Sequence, residues 1–398
     1  MKLRIGIDTL GTVPYKQGGG RVFLLSILDG LKKAGRDDDF FLFVSRENAP
    51  LFERFRGENF HLVNCGLPDL KCLDNTYKKT LWEQTLLPFQ IRKLKLDMVV
   101  FPANVMPFFS RGYRSAVVVH DLVTFFNRRE FPGLFPAFKK SLFQHLFRAS
   151  LRHASLVLTV SKAIKAELVE QARIPQEKIR VIFESAQTID FSPQEEAELS
   201  GKYGALIKQG FIFFCGVQYK HKNIHNLVKG FSLFRKQSHS TVKLVLIGDS
   251  EGGSAEILKS IKDSDFSGDI MNLGHLGLRE AVWLMKNAAV FVFPSLYEGF
   301  GLPVAEALSC GTPVIASRLP AVLEIAGEAA VYFDPLRPED IAEKISMVMS
   351  DEKLIRELKE KSLKRSGELP SWEGVAENML KAIREKVAEE QNNLNPKF

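Results

Sequence analysis

The chain has 398 residues, 45% of them hydrophobic and 25% charged, with a formal net charge of +7; this balance excludes a disordered, collagen-like or disulfide-stapled protein. The length suits two domains of about 200 residues each rather than one core. No apolar run, including 242–247 and 290–293, approaches the roughly 20 residues of a membrane span.

Residues 1–8 read as a strand ending in the carboxylate of Asp8, not as a leader peptide. The four cysteines, Cys65, Cys72, Cys215 and Cys310, show no metal-ligand spacing, so a reducing cytoplasm is the expected location. The positive charge is uneven: 1–190 holds 29 basic against 19 acidic residues, and 191–398 holds 25 against 28. Within the basic half, 101–153 carries eight Lys/Arg, two acids and ten of the 31 phenylalanines. That composition points to an anionic partner, either phosphates or a lipid headgroup layer, and not to nucleic acid.

In chain order, strands are predicted over 3–8, 40–44, 98–101, 116–120 and 156–160, separated by helices over 22–34 and 134–153. Alternation of this kind gives a parallel sheet covered by helices, one doubly wound domain over 1–190. From 185 to 209 the apolar pattern lapses into Ser, Gln, Glu and Gly with Pro193, and the domain boundary is expected there. Strands follow at 211–214, 242–247, 289–293, 313–316 and 330–333, with helices near 224–236, 278–287, 303–309 and 338–349. They form a second doubly wound domain over 191–370. A helix over 371–390 is expected to return to the first domain, and the polar tail 391–398 to be disordered. The fold class is α/β, two Rossmann-like parallel-sheet domains facing a central cleft. Ligands of such sheets bind beyond the carboxyl ends of the strands, which selects the loops 8–21, 102–106, 120–124, 216–223, 248–250 and 294–301.

The most informative of these loops leads into Gly299-Phe300-Gly301-Leu302-Pro303. Pro303 suits the first turn of a helix, the glycines let backbone approach a ligand, and the helix N-terminus makes an anion site for a phosphate. Glu298 and Glu306 stand eight residues apart. Even on one helix, at about 1.5 Å rise per residue, their backbones would be about 12 Å apart, too far for a paired-carboxylate glycosidase, so each is expected near one end of an extended ligand. Upstream, Gly216-Val217-Gln218-Tyr219-Lys220-His221-Lys222-Asn223 leaves a strand and concentrates cations before a helix.

This Glu-x7-Glu arrangement resembles the retaining GT-B glycosyltransferases that use nucleotide-sugar donors, the group 1, mannosyltransferase-like family. Gly311-Thr312-Pro313, Tyr332-Phe333-Asp334-Pro335 and Ser371-Trp372-Glu373 extend the resemblance in the same order. It implies that Glu298 contacts the transferred sugar, Glu306 the ribose, the main chain of Gly299, Phe300, Gly301 and Leu302 the diphosphate, and Lys222 the departing diphosphate. Gly216 belongs to the same donor loop. Many members carry an arginine after that glycine where this chain has Val217; Lys220 is a candidate for the missing charge. His275 and Leu276 match the region that reads the base through backbone groups, so uridine and guanosine donors stay undistinguished. In the basic half, Gln17-Gly18-Gly19-Gly20-Arg21 is similar to the family's Gly-Gly turn, giving Gly19, Gly20 and Arg21 a role on the acceptor and phosphate side. His120, at a strand end, matches a histidine that contacts the transferred sugar. Ser161 reads as a helix N-cap.

The implied activity is metal-independent, retaining hexosyl transfer from a GDP- or UDP-linked sugar to a glycan or lipid-linked acceptor, with no cofactor. Asp263-Ser264-Asp265 lies in a polar loop and not at a strand end, so no metal is assigned to it. The stripe Phe135, Phe138, Leu142 and Leu146, widened by Phe143, Phe147 and Leu151 and flanked by Lys139 and Lys140, suits core packing or peripheral contact with an anionic membrane surface at the inner face of the cytoplasmic membrane. A nucleotide-sugar epimerase and a non-catalytic nucleotide-sugar-binding subunit are the alternatives.

Overall fold

The computed structural model describes residues 2–12, 18–66, 84–107, 112–123, 137–249 and 254–394. They divide into two units: one holds the described residues up to 123, from 137 to 184 and from 370 onward, and the other runs from 185 to 369.

In the first unit seven parallel strands, β1 (Arg4–Asp8), β2 (Asp39–Val44), β3 (Phe60–Asn64), β4 (Met98–Phe101), β5 (Ser115–Val119), β6 (Leu156–Thr159) and β7 (Ile179–Val181), lie in the order 3-2-1-4-5-6-7. Gly6 of β1 is in register with Phe41 on one side and Val99 on the other. Central strands such as β4 and β5 are fully buried and apolar apart from Ser115 at the start of β5, as a sheet covered on both faces requires. β3 and β7, absent from the sequence reading, are the two edges of this sheet.

The helix Trp372–Leu394 packs on the helix Gly19–Ala34. A Cβ on Gly30 would sit 2.3 Å from the carbonyl oxygen of Trp372, so a bare glycine sets how closely the two helices approach. Arg384 donates to the fully buried Asp38 at 2.6 Å, which also accepts from the Leu3 amide at 3.0 Å. The helix runs to Leu394 and not only to 390, because the sequence holds no helix breaker before Pro396.

The second unit is a six-stranded parallel sheet, β8 (Phe211–Cys215), β9 (Lys243–Ile247), β10 (Ile270–Asn272), β11 (Val290–Phe293), β12 (Val314–Ser317) and β13 (Ala330–Phe333), in the order 10-9-8-11-12-13. Phe214, Leu246, Val292 and Ile315 pack with Phe231 and Ile345 of flanking helices in one core. The segment 185–209 is not a structureless boundary: Pro193–Gln209 is a helix, opened by Pro193 and a reciprocal capping box between Ser192 and Glu195. Only Tyr203 and Leu206 of it are buried, so it lacks the apolar period by which such a helix is recognised. The Ser192 amide, then the Arg279 side chain and the Ser192 hydroxyl, hold the Glu195 carboxyl down at about 2.

Each sheet reverses its winding once, between β1 and β4 in the first unit and between β8 and β11 in the second. These switch points are where loops diverge and leave room for a ligand.

Gly30→Ala tests the helix contact. Overpacking against a main-chain carbonyl costs about 1–3 kcal/mol, against a helix-propensity gain of about 1 kcal/mol, so a lowered melting midpoint in scanning calorimetry is the expected outcome.

Candidate active site

At the second unit's switch point, the loops that leave β8 and β11 are tied together by main chain. A Cβ on Gly248, after β9, would lie 2.0 Å from the Gly216 carbonyl oxygen, so the loops after β8 and β9 can touch only as bare backbone. The chain then makes a tight turn over Lys220–Lys222, closed by Asn223 in the left-handed conformation at φ 57°. The Asn223 Nδ2 donates to the carbonyls of Pro294 at 3.0 Å and Pro335 at 2.7 Å, and the Leu296 amide donates to the His221 carbonyl at 2.8 Å. Asparagine tolerates this conformation and can bridge two loops at once.

These ties bring Lys222 Nζ to 2.6 Å from Glu298 Oε1, with the two side chains only 13% and 12% exposed. The ammonium also lies 5.5 Å above the Phe293 ring. Gly301, left-handed at φ 99°, caps the helix Leu302–Ser309, with Pro303 in its first turn. Burial, and to a smaller extent the charge of Glu306 one turn into this helix, pushes up the Cys215 thiol, while Lys222 opposes them. Lys222 and Glu298 therefore meet four residues ahead of the helix Leu302–Ser309, which carries Glu306.

The other predicted residues fall as follows. Gly299, Phe300 and Gly301 are buried, Phe300 at 3% exposure, and Leu302 is partly exposed. Lys220 forms an exposed ion pair with Glu256 at 2.7 Å. Val217 is partly exposed beside Gly216. His275 is exposed, 3.5 Å from Asp249, next to the partly exposed Leu276; its neighbour Gly274 accepts from the Gly248 amide. Asp265 of the Asp-x-Asp stretch pairs with Lys236.

In the first unit, Gly19 and Gly20 open the first helix behind Gly18, and a Cβ on any of the three would meet nothing within 4 Å. Among the described residues packing does not demand glycine at these positions, while Gly18, at φ 141°, adopts a backbone conformation that favours it. Arg21 follows with its amide donating to Gly18, while Gln17 lies outside the described residues. His120 directly follows β5, with its side chain 17% exposed and its Nδ1 3.0 Å from Glu184. Burial works against charge on that imidazole, but the Glu184 hydrogen bond and charge, the Pro102 carbonyl and Asp121 together raise its pKa. Glu184 was not legible from sequence: it follows β7, a three-residue strand with one buried position. Ser161 caps the next helix through the Ile164 amide. Phe147 and Leu151 are buried and Leu146 partly so; the side chains of Phe135, Phe138, Lys139, Lys140, Leu142 and Phe143 lie outside the described residues.

Among known proteins, residues 196–365 match the family model of glycosyl transferases group 1 and residues 17–184 that of Glycosyltransferase Family 4. Both halves of the chain thus match a glycosyltransferase family model, and the fold is of the GT-B type, two parallel-sheet α/β units. Among curated relatives, the O-antigen chain mannosyltransferase B of Escherichia coli is 27% identical over 274 residues, 68% of this chain and 70% of that protein. The O-antigen chain mannosyltransferase RfbU of Salmonella typhimurium is 27% identical over 219 residues, 55% of this chain and 56% of its own length. The structure of Anabaena Alr3699/HepE in complex with UDP and glucose superposes with a TM-score of 0.71 at 16% identity, covering 96% of this chain and 99% of that one. A glycosyltransferase from Rickettsia africae gives 0.72 at 16% identity, with 97% and 99% covered.

Two measurements check the loop clamp. Asn223→Ala removes two hydrogen bonds and leaves alanine in the left-handed region, a combined cost of about 2–4 kcal/mol; Asn223→Gly, free of the strain, should melt between it and the native protein. His221 is pushed down to about 4 by burial and then by Lys222. Its unfolded form, ordinary at 6.5, takes up a proton first, so its contribution is complete above about pH 6.5 and lost as the pH falls toward about 4. His221→Gln should flatten the melting-temperature profile in that window.

Proposed function

We propose that this chain transfers a hexose, with retained anomeric configuration and without a metal ion, from a GDP- or UDP-linked donor to a glycan or lipid-linked acceptor in cell-surface polysaccharide or glycolipid synthesis. The mannosyltransferase names of its relatives make mannose the first sugar to try. The observation that carries the reading is the Lys222–Glu298 pair at the β8/β11 switch point, beside a helix N-terminus.

Before a donor arrives, Glu298 is the counter-ion of Lys222. A pyrophosphate seated over the N-terminus of Leu302–Ser309 carries more negative charge than one carboxylate and competes for the ammonium. Glu298 is then released to accept hydrogen bonds from the sugar hydroxyls, and Glu306 takes those of the ribose. As the anomeric C–O bond breaks, the electron pair leaves with the diphosphate, which Lys222 and the helix dipole neutralise. The acceptor hydroxyl enters on the vacated face of the oxocarbenium-like sugar and gives its proton to a leaving phosphate oxygen. Gly216, Lys220, His275 and Leu276 serve the donor, Gly19, Gly20 and Arg21 the acceptor and phosphate side, and His120 contacts the transferred sugar. No protein nucleophile and no cofactor take part.

Thermal-shift measurements with nucleoside diphosphates and their sugars should select one base and one sugar. With that donor, Lys222→Met and Glu298→Gln each lose about 10²–10³ in kcat. They differ in binding: Lys222→Met weakens the bare nucleoside diphosphate, whereas Glu298→Gln does not, since it frees the lysine. Inverted product configuration by NMR, or near-normal transfer in either variant, would reject the reading.

A further inference from the structure

His120 has both ring nitrogens engaged. Nδ1 lies 3.0 Å from Glu184 Oε1 and Nε2 lies 2.9 Å from the carbonyl oxygen of Pro102. A main-chain carbonyl only accepts, so Nε2 must carry a hydrogen; a neutral imidazole has only one N–H. Nδ1 would then set its lone pair against the carboxylate, unless a second proton lies between them. The arrangement is satisfied when ring and carboxyl together hold that extra proton. Glu184 is 7% exposed, and in such a place an unmatched lone-pair contact is costly.

The ring is also fixed from other sides. The His120 amide donates to Asn104 Oδ1 at 2.9 Å, the Asn104 amide donates to Val118, and Phe23 of the first helix meets the ring edge-on at 4.7 Å between centroids. One imidazole thus joins the loops after β4, β5 and β7. The charged groups acting on it are Glu184 and, from its own loop, Asp121.

We infer that Glu184 is a positioning residue for the transfer reaction: it locks the orientation of His120 and keeps both ring nitrogens protonated, so that His120 shapes the substrate site without acting as the base that deprotonates the acceptor. This rests on the reaction proposed above, in which a phosphate oxygen takes that proton. It gives Glu184, remote in sequence by 64 residues, a defined part in the chemistry.

Side-chain NMR of the histidines in the full-length protein tests it directly. His120 should remain doubly protonated above the ordinary value of 6.5, and in Glu184→Gln it should titrate back toward that value. Measured with the donor that the thermal-shift panel selects, as transfer or as slow donor hydrolysis, Glu184→Ala should lower kcat by about 10²-fold, the scale of an ångström of misplacement. Binding of GDP or UDP should be unchanged. Glu184→Gln should keep the orientation but make kcat pH-dependent near neutrality, where the native enzyme is flat. A native His120 that titrates at or below 6.5, or a folded Glu184→Ala variant with native kcat, overturns the inference. Should Glu184→Ala not fold, the titrations of the native protein and of Glu184→Gln still decide. Absence of turnover in the native protein would sink the proposed reaction, while the titration would still judge the pair.

Discussion

Two loops leaving neighbouring parallel strands in opposite directions must be held together if anything is to be bound between them, and in the second unit Asn223 does this. Its side-chain amide reaches the carbonyls of Pro294 and Pro335, while its left-handed backbone ends the turn that carries Lys222. The bonds are among main-chain and amide groups buried in the sheet's carboxyl edge, where losing a partner is expensive. The positions of Lys222 and Glu298 follow from that frame, since both stand on the tied loops.

Charge at the site is balanced on a small scale. A largely buried ammonium without a counter-ion would face a desolvation penalty of several kcal/mol, and Glu298 offsets it at 2.6 Å. The helix Leu302–Ser309 adds a positive end that costs no desolvation, because its charge is distributed over main-chain N–H groups. A site built this way balances its own charge without burying an unpaired ion. Lys220, by contrast, is half exposed and paired with a still more exposed Glu256, a contact worth little to stability and easily surrendered.

The first unit uses a histidine where the second uses an asparagine. His120 gathers the loops after β4, β5 and β7 around its ring, and the helix Gly19–Ala34, whose Phe23 touches that ring, is itself braced by Trp372. The C-terminal helix thereby supports a residue at the strand ends although it contributes none there itself.

The sequence by itself determined the central strands, the helices with a strong apolar stripe and the loops at which the candidate site was sought. A central parallel strand such as β11 is buried on both faces and must be apolar throughout, and that constraint is written locally. It did not reveal β3, β7 and β10, all edge strands with partly exposed positions, nor the helices Pro193–Gln209 and Glu352–Glu368, which bury two residues each. Half-covered elements carry a weak pattern because water tolerates many side chains on the open face. Glu298 and Lys222 stood out in the sequence because they lie in segments that follow strands, and Glu306 because it stands on the helix that one of those segments opens. Tertiary structure alone decided that Lys222 meets Glu298 across 76 residues and that Glu184 meets His120 across 64. Such pairings depend on strand order and register, which join residues through space and leave no periodic trace along the chain.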